Sequence, residues 1–187
     1  MKPLKRPARQ AILVVHVCAS AGWLGLSLGL LGLSSAAAAS GSPAVAEASY
    51  RSMALFANWL MIPIALLTLG SGLVLSLGTP WGLARYRWVW TKFWLTLITT
   101  TLTTFSLRPG VNAAADEAAA GIPVQDPTGL LAAPIVSLSA YLFMTAISVL
   151  KPWGMTRRGR RLKGLKSAEQ RATSTKGLDA RSPRQTA

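Results

Sequence analysis

Four stretches of this chain are apolar almost without interruption, at about 11–33, 53–77, 88–107 and 130–150. Each is close to the ~20 residues a helix needs to cross ~30 Å of hydrocarbon. None alternates polar and apolar residues as a strand of a membrane barrel does. The pattern predicts an all-α protein, an integral membrane four-helix up-down bundle. Residues 1–10 are then a basic amino-terminal segment, 11–150 the four-span domain, and 151–187 a basic tail. The tail is rich in Ser, Thr, Arg and Gly and short of apolar residues, so it is expected to be disordered. The basic start and the small residues of 34–40 resemble a secretory signal. A signal's apolar region is only ~7–15 residues long, though, so the first stretch is read as a retained span.

The polar residues inside the spans fall at helical spacing. His16, Ser20, Trp23 and Ser27 share one face of span one. Lys92, Thr96, Thr99, Thr100 and Thr103 share one face of span three, and Ser137, Tyr141, Thr145 and Ser148 one face of span four. Such stripes are expected to meet neighbouring helices, where hydroxyls find partners; the alternative is a polar pocket or narrow path. Gly25 and Gly29 form a small-xxx-small pair that admits a close helix, in this bundle or in a dimer. Pro63 is expected to kink span two, and Asn58 to cap or pair locally.

Charge sets the direction. Of 20 Lys and Arg residues, all but Arg51, Lys92 and Arg108 lie before span one, between spans two and three, or after span four. By the positive-inside rule those segments are cytoplasmic, which puts both termini there in a bacterial plasma membrane. Trp81, Tyr86, Trp88, Trp90, Trp94 and Trp153 cluster at the same boundary as an aromatic belt. The net charge of +14 is therefore placed for topology rather than for nucleic acid. Arg157, Arg158, Arg160, Arg161, Lys163 and Lys166 form a polybasic run just inside the membrane, suited to anionic lipid headgroups. Nucleic acid is disfavoured because the run lacks interleaved aromatics.

Two residues carry candidate chemistry. His16, the single histidine, lies about five residues into span one, and Lys92 about four residues into span three. Both enter from the cytoplasmic side, so they share a depth on helices that stand diagonally in an up-down bundle. Ionisable groups inside a membrane are costly and mark function, and imidazole is an axial ligand for haem iron. The bland alternatives are a packing imidazole and a snorkelling lysine. Met144 sits at a comparable level but reads as packing. Cys18, two residues from His16, faces elsewhere and excludes an internal disulfide because it is the only cysteine. Gly25–Gly29 matches G-x-S-x-G, but mid-helix and without a base in reach it is no nucleophile elbow. There is no P-loop, H-E-x-x-H or C-x-x-C, and no paired intramembrane carboxylates. No self-sufficient catalytic motif exists.

Two stretches carry a family resemblance: Val15-His16-Val17 through Gly22-Trp23-Leu24-Gly25, and Ser76-Leu77-Gly78-Thr79-Pro80-Trp81-Gly82 through Trp88-Val89, on to Lys92 and Leu95-Thr96. Together they resemble an uncharacterised family of actinobacterial integral membrane proteins over about residues 10–107, which implies a plasma-membrane protein of no known activity. The His, the Trp seven residues on and the Lys of span three are also similar to HemJ-type protoporphyrinogen oxidases, and the His-to-Trp-Gly part to the copper-resistance CopD membrane domain. The HemJ-type likeness implies a link between haem and the residues at His16 and Lys92. The expected function is a multi-pass membrane protein, accessory or partner-binding, alone or as a homo-oligomer. The alternatives are a haem-binding redox protein using His16 and Lys92 (as an enzyme, a haem-linked membrane oxidoreductase) or a small permease.

Overall fold

The computed structural model of the chain describes residues 4–78, 82, 83 and 85–179, without the side chains of Lys166, Ala172 and 175–179. Thr79, Pro80, Trp81 and Ala84 of the inter-span loop, and the end of the tail, lie outside the described residues. What is described is all-helical. Five helical rods follow one another: α1 (Arg6–Ala39); α2 (Pro43–Leu55) running through a π turn (Phe56–Met61) into α3 (Ile62–Gly78); α4 (Arg87–Leu102) running through a second π turn (Thr103–Leu107) into α5 (Arg108–Ala119); α6 (Pro127–Leu150); and α7 (Arg157–Asp179).

Both π turns have the same cause. A proline inside a helix has no N–H to give, and its ring strikes the carbonyl four residues back. Pro63 and Pro109 each follow a π turn by two residues, and the wider turn moves that carbonyl off the ring. Span three, expected to stop at Leu107, therefore continues through Pro109 and Gly110 to Ala119. Span two starts ten residues earlier than its apolar stretch, with Pro43 in the first turn, where a missing N–H costs nothing. Local pairing of Asn58 is also corrected: it bonds Asn112 across the bundle.

Among the described residues, three helices are long and apolar enough to cross a membrane: Arg6–Ala39, Pro43–Gly78 and Pro127–Leu150. The α4–α5 rod is long enough, but Lys92 and its threonines lower its apolarity. α1 and α4 each pack on α3 and α6, and so face each other across the group.

Burial is uneven along the rods. Met53 and Val111 are fully buried, with Tyr50, Leu107, Ala114 and Ala115 around them, at the end far from the termini. There α2 packs on α5 and on α1, and the sequence is rich in Ala, Ser and acids. Along the apolar stretches the reverse holds: only 17% of the most apolar part of α1 and of α6 is buried. Val14, Leu28, Leu66, Leu142 and Val149 all face outward. A water-soluble fold rarely leaves so broad an apolar belt bare; lipid covers such a belt, and apolar residues need an interior only where water begins. The structure is thus compatible with a membrane location.

At the near end, α7 is docked rather than loose. Thr156 donates its N–H to the Arg85 carbonyl at 3.0 Å. Gly159 lies against the same carbonyl, where any Cβ would strike the oxygen. The tail was expected without regular structure; over 157–179 it is helical, because Arg, Lys, Leu, Gln, Glu and Ala are good helix formers.

Candidate functional site

α1, α3, α4 and α6 line a half-open cavity of about 460 Å³ near the end that carries the termini. Both residues singled out from the sequence line it. His16 comes from α1 and Lys92 from α4, with Thr68 and Gly72 from α3 and Ser148 from α6. Leu13, Leu69, Leu73, Val89 and Phe93 supply apolar wall, and Arg9 and Trp88 line it as well. The volume lies within the ~300–1,000 Å³ of ordinary ligand pockets.

The histidine is held in one tautomer. Its Nδ1 lies 3.1 Å from the Thr68 carbonyl and 3.0 Å from Ser71 Oγ. A carbonyl only accepts, and the Ser71 hydroxyl is already donating to the Leu67 carbonyl at 2.6 Å. Nδ1 therefore carries the proton. In a neutral ring Nε2 is then the bare nitrogen, and among the described residues it has no partner. A backbone carbonyl on one ring nitrogen is how proteins orient a histidine whose other nitrogen ligates. Gly72 makes room for the ring: a Cβ there would meet Cε1 at 3.0 Å.

Lys92 Nζ donates to Ser148 Oγ at 2.6 Å, and Ser148 passes its own proton to the Met144 carbonyl at 2.7 Å. One ammonium proton is thus engaged and two remain for a ligand. Lys92 is half-buried rather than reaching the near end as a free snorkelling chain. Met144 offers its sulfur to the Thr96 hydroxyl at 3.5 Å, and Cys18 is exposed on another face.

Thr68 is nine-tenths buried in the cavity wall with its hydroxyl unpartnered, and Trp23 is as deeply buried with an unpartnered indole N–H. Buried donors without partners are rare in native folds; of the two, Thr68 lines the cavity beside His16, and Trp23 lies two turns deeper along α1.

The stripes divide. Ser27 and Ser137 meet across α1 and α6 at 3.1 Å. The threonines of α4 and the π turn after it behave otherwise: Thr99, Thr100, Thr101 and Thr104 turn their hydroxyls onto carbonyls of their own rod. Within the expected stripe, Lys92 and Thr96 do meet a neighbour, Ser148 and Met144 of α6, while Thr99 and Thr100 bond their own helix instead. A hydroxyl in an apolar setting takes the nearest acceptor, the i−4 carbonyl.

Sequence reasoning missed Arg9, Thr68, Ser71 and Gly72. The signal was present: residues 68–72 set Thr, Gly, Ser and Gly into an otherwise Leu-rich span. The basic run maps to the exposed start of α7, with Arg157, Arg158, Arg160, Arg161 and Lys163 solvent-facing; the Lys166 side chain lies outside the described residues. Among the described residues no three His, Cys, Asp or Glu side chains gather as a metal site.

No protein-family model matches the chain, and no curated protein or solved structure is found similar to it.

Proposed function

We propose that the chain is a four-helix integral protein of the plasma membrane, with both ends cytoplasmic, whose inner cavity binds haem through His16. The observation that carries this reading is the placing of the His16 ring: Nδ1 faces a backbone carbonyl at 3.1 Å, which leaves Nε2 without a partner among the described residues in a ligand-sized, largely apolar cavity. A macrocycle brings its own equatorial nitrogens and needs only one or two protein ligands, which suits a site with a single imidazole.

The residues present fit such a group. His16 Nε2 would hold the iron. Leu69, Leu73, Val89 and Phe93 give the apolar walls. Lys92 would pair with an anionic edge or, on leaving Ser148, would ligate from α4, and Arg9 would offer a second cation. Bound haem would supply one-electron transfer. The part of the chain itself is to hold Nε2 unprotonated, exclude water with the leucines and neutralise carboxylates.

Support for the membrane reading comes from the exposed apolar belt, the three span-like helices and the grouping of Lys and Arg at one end. The permease alternative draws less support, because the α4 hydroxyls are spent on their own carbonyls. The test is the visible spectrum of protein purified in detergent after expression with haem supplied, oxidised and then reduced. A Soret band that shifts on reduction and is lost in His16→Ala is expected. A clear spectrum from folded protein returns the chain to an accessory, partner-binding role.

A further inference from the structure

At the far end a second polar group stands apart from the cavity. Asn58, in the first π turn, and Asn112, on α5, bond through their amides: Asn58 Nδ2 donates to Asn112 Oδ1 at 2.8 Å and Asn112 Nδ2 to Asn58 Oδ1 at 3.3 Å. Arg108, directly after the second π turn, donates its Nε to Asn58 Oδ1 at 2.7 Å. The guanidinium is exposed, and among the described residues its two terminal nitrogens have no partner and no carboxylate. We propose that this Asn-held Arg108 binds the phosphate of an anionic phospholipid in the leaflet away from the termini. The inference rests on the membrane reading above, though not on haem.

Depth supports it on two separate rods. Arg108 follows Arg87 by 21 residues, about 32 Å at ~1.5 Å per residue, against ~30 Å of hydrocarbon. Asn58 precedes Gly78 by 20 residues, about 30 Å on the same measure. With the α3–α4 loop at one boundary, both residues arrive at the other, where phosphates lie. Trp59 and Phe105, at 75% and 77% exposed, are the most exposed aromatics among the described residues, and both sit at this level. Aromatic rings gather at such a boundary.

The chemistry selects the ligand. A guanidinium is a planar fork that meets two phosphate oxygens at once. Anchoring Nε to Asn58 removes its freedom to swing while leaving the outer fork open. A cation at the edge of hydrocarbon with no carboxylate is costly unless an anion completes it, and the lipid phosphate is the anion present at that depth.

The test is native mass spectrometry of the full chain in detergent doped with phosphatidylglycerol, comparing wild type, Arg108→Gln and Arg108→Lys. The basic run on α7 contributes equally to all three. Wild type is expected to retain one more lipid than the folded Gln variant, with retention weaker by roughly tenfold or more in the Lys variant, which keeps charge but loses the fork. Equal retention in either folded variant would overturn the site, as would displacement of that lipid by inorganic phosphate, which marks a general anion site. A carbonate wash of native membranes separates the two claims. A chain that is stripped off loses both, while a retained chain with an unchanged lipid count loses only this one.

Discussion

The His16 ring owes its chemical state to three neighbours that are not themselves ligands. Thr68 provides the carbonyl, Ser71 the hydroxyl, and Gly72 the space. Partners that orient a ligating histidine typically matter 10–100-fold for affinity. Ser71→Ala is accordingly expected to weaken haem binding by roughly tenfold while leaving the thermal midpoint near wild type. Gly72→Val should do more: its branches fall where Cε1 stands, so the ring must leave the Thr68 carbonyl, and bound haem per chain should drop several-fold in a pyridine haemochrome assay. Ser148→Ala frees Lys92 Nζ; if Lys92 serves the ligand, binding should hold or tighten rather than fall. At this scale the sequence was informative about the two ionisable residues, because each stands alone in an apolar run. It said little of Thr68, Ser71 and Gly72, since small polar residues in a span also serve helix packing.

At the scale of elements, the two proline π turns decide where side chains point. Each shifts the face of everything beyond it, and together they bring Asn58, Arg108 and Asn112 into one cluster. Pro63→Ala improves local helix propensity, yet it removes the reason for the wider turn. The predicted outcome is loss of the Asn58 bonds and a net destabilisation of about 1–2 kcal/mol, read from unfolding monitored by circular dichroism in detergent. A midpoint raised by the substitution would show that the π turn is not needed. Pro109 followed by Gly110 reads as a helix stop in a sequence, which is why α5 was not foreseen: continuation depends on a widened turn, whose stability comes from packing against α2. The docking of α7 was equally hidden, because its contacts are long-range: Thr156 and Gly159 against the Arg85 carbonyl, and a bridge between Tyr86 and Met155. Gly159→Val is expected to undock α7 and speed trypsin cleavage at Arg157–Arg161 several-fold, with the helical core left intact.

The whole molecule divides into two solvents. Between the Arg87 and Arg108 levels the rods expose their apolar side chains, and most α4 hydroxyls stay on carbonyls of their own helix. Beyond Arg108 the ends of α1, α2 and α5 bury apolar residues against one another, as water requires. The apolar stretches themselves were legible from hydropathy alone. The far-end cap was not, because its Ala- and Ser-rich sequence resembles a loop until α2 and α5 are seen to pack. Orientation is open to direct test. In a Cys18→Ser background, Ser40→Cys is expected to react with an impermeant maleimide in whole cells, and Ser167→Cys only after permeabilisation. The opposite pattern would invert the molecule and place the cavity outside.

The most direct test of the central claim, that His16 ligates haem in the inner cavity, is titration of haemin into the apo-protein, followed by quenching of tryptophan fluorescence. Trp88 lines the cavity, so bound haem lies within range of an intrinsic reporter. The account predicts saturation at one haem per chain and a dissociation constant raised about tenfold or more in His16→Ala, equivalent to ~1.4 kcal/mol or more. Identical titrations of wild type and His16→Ala would contradict it.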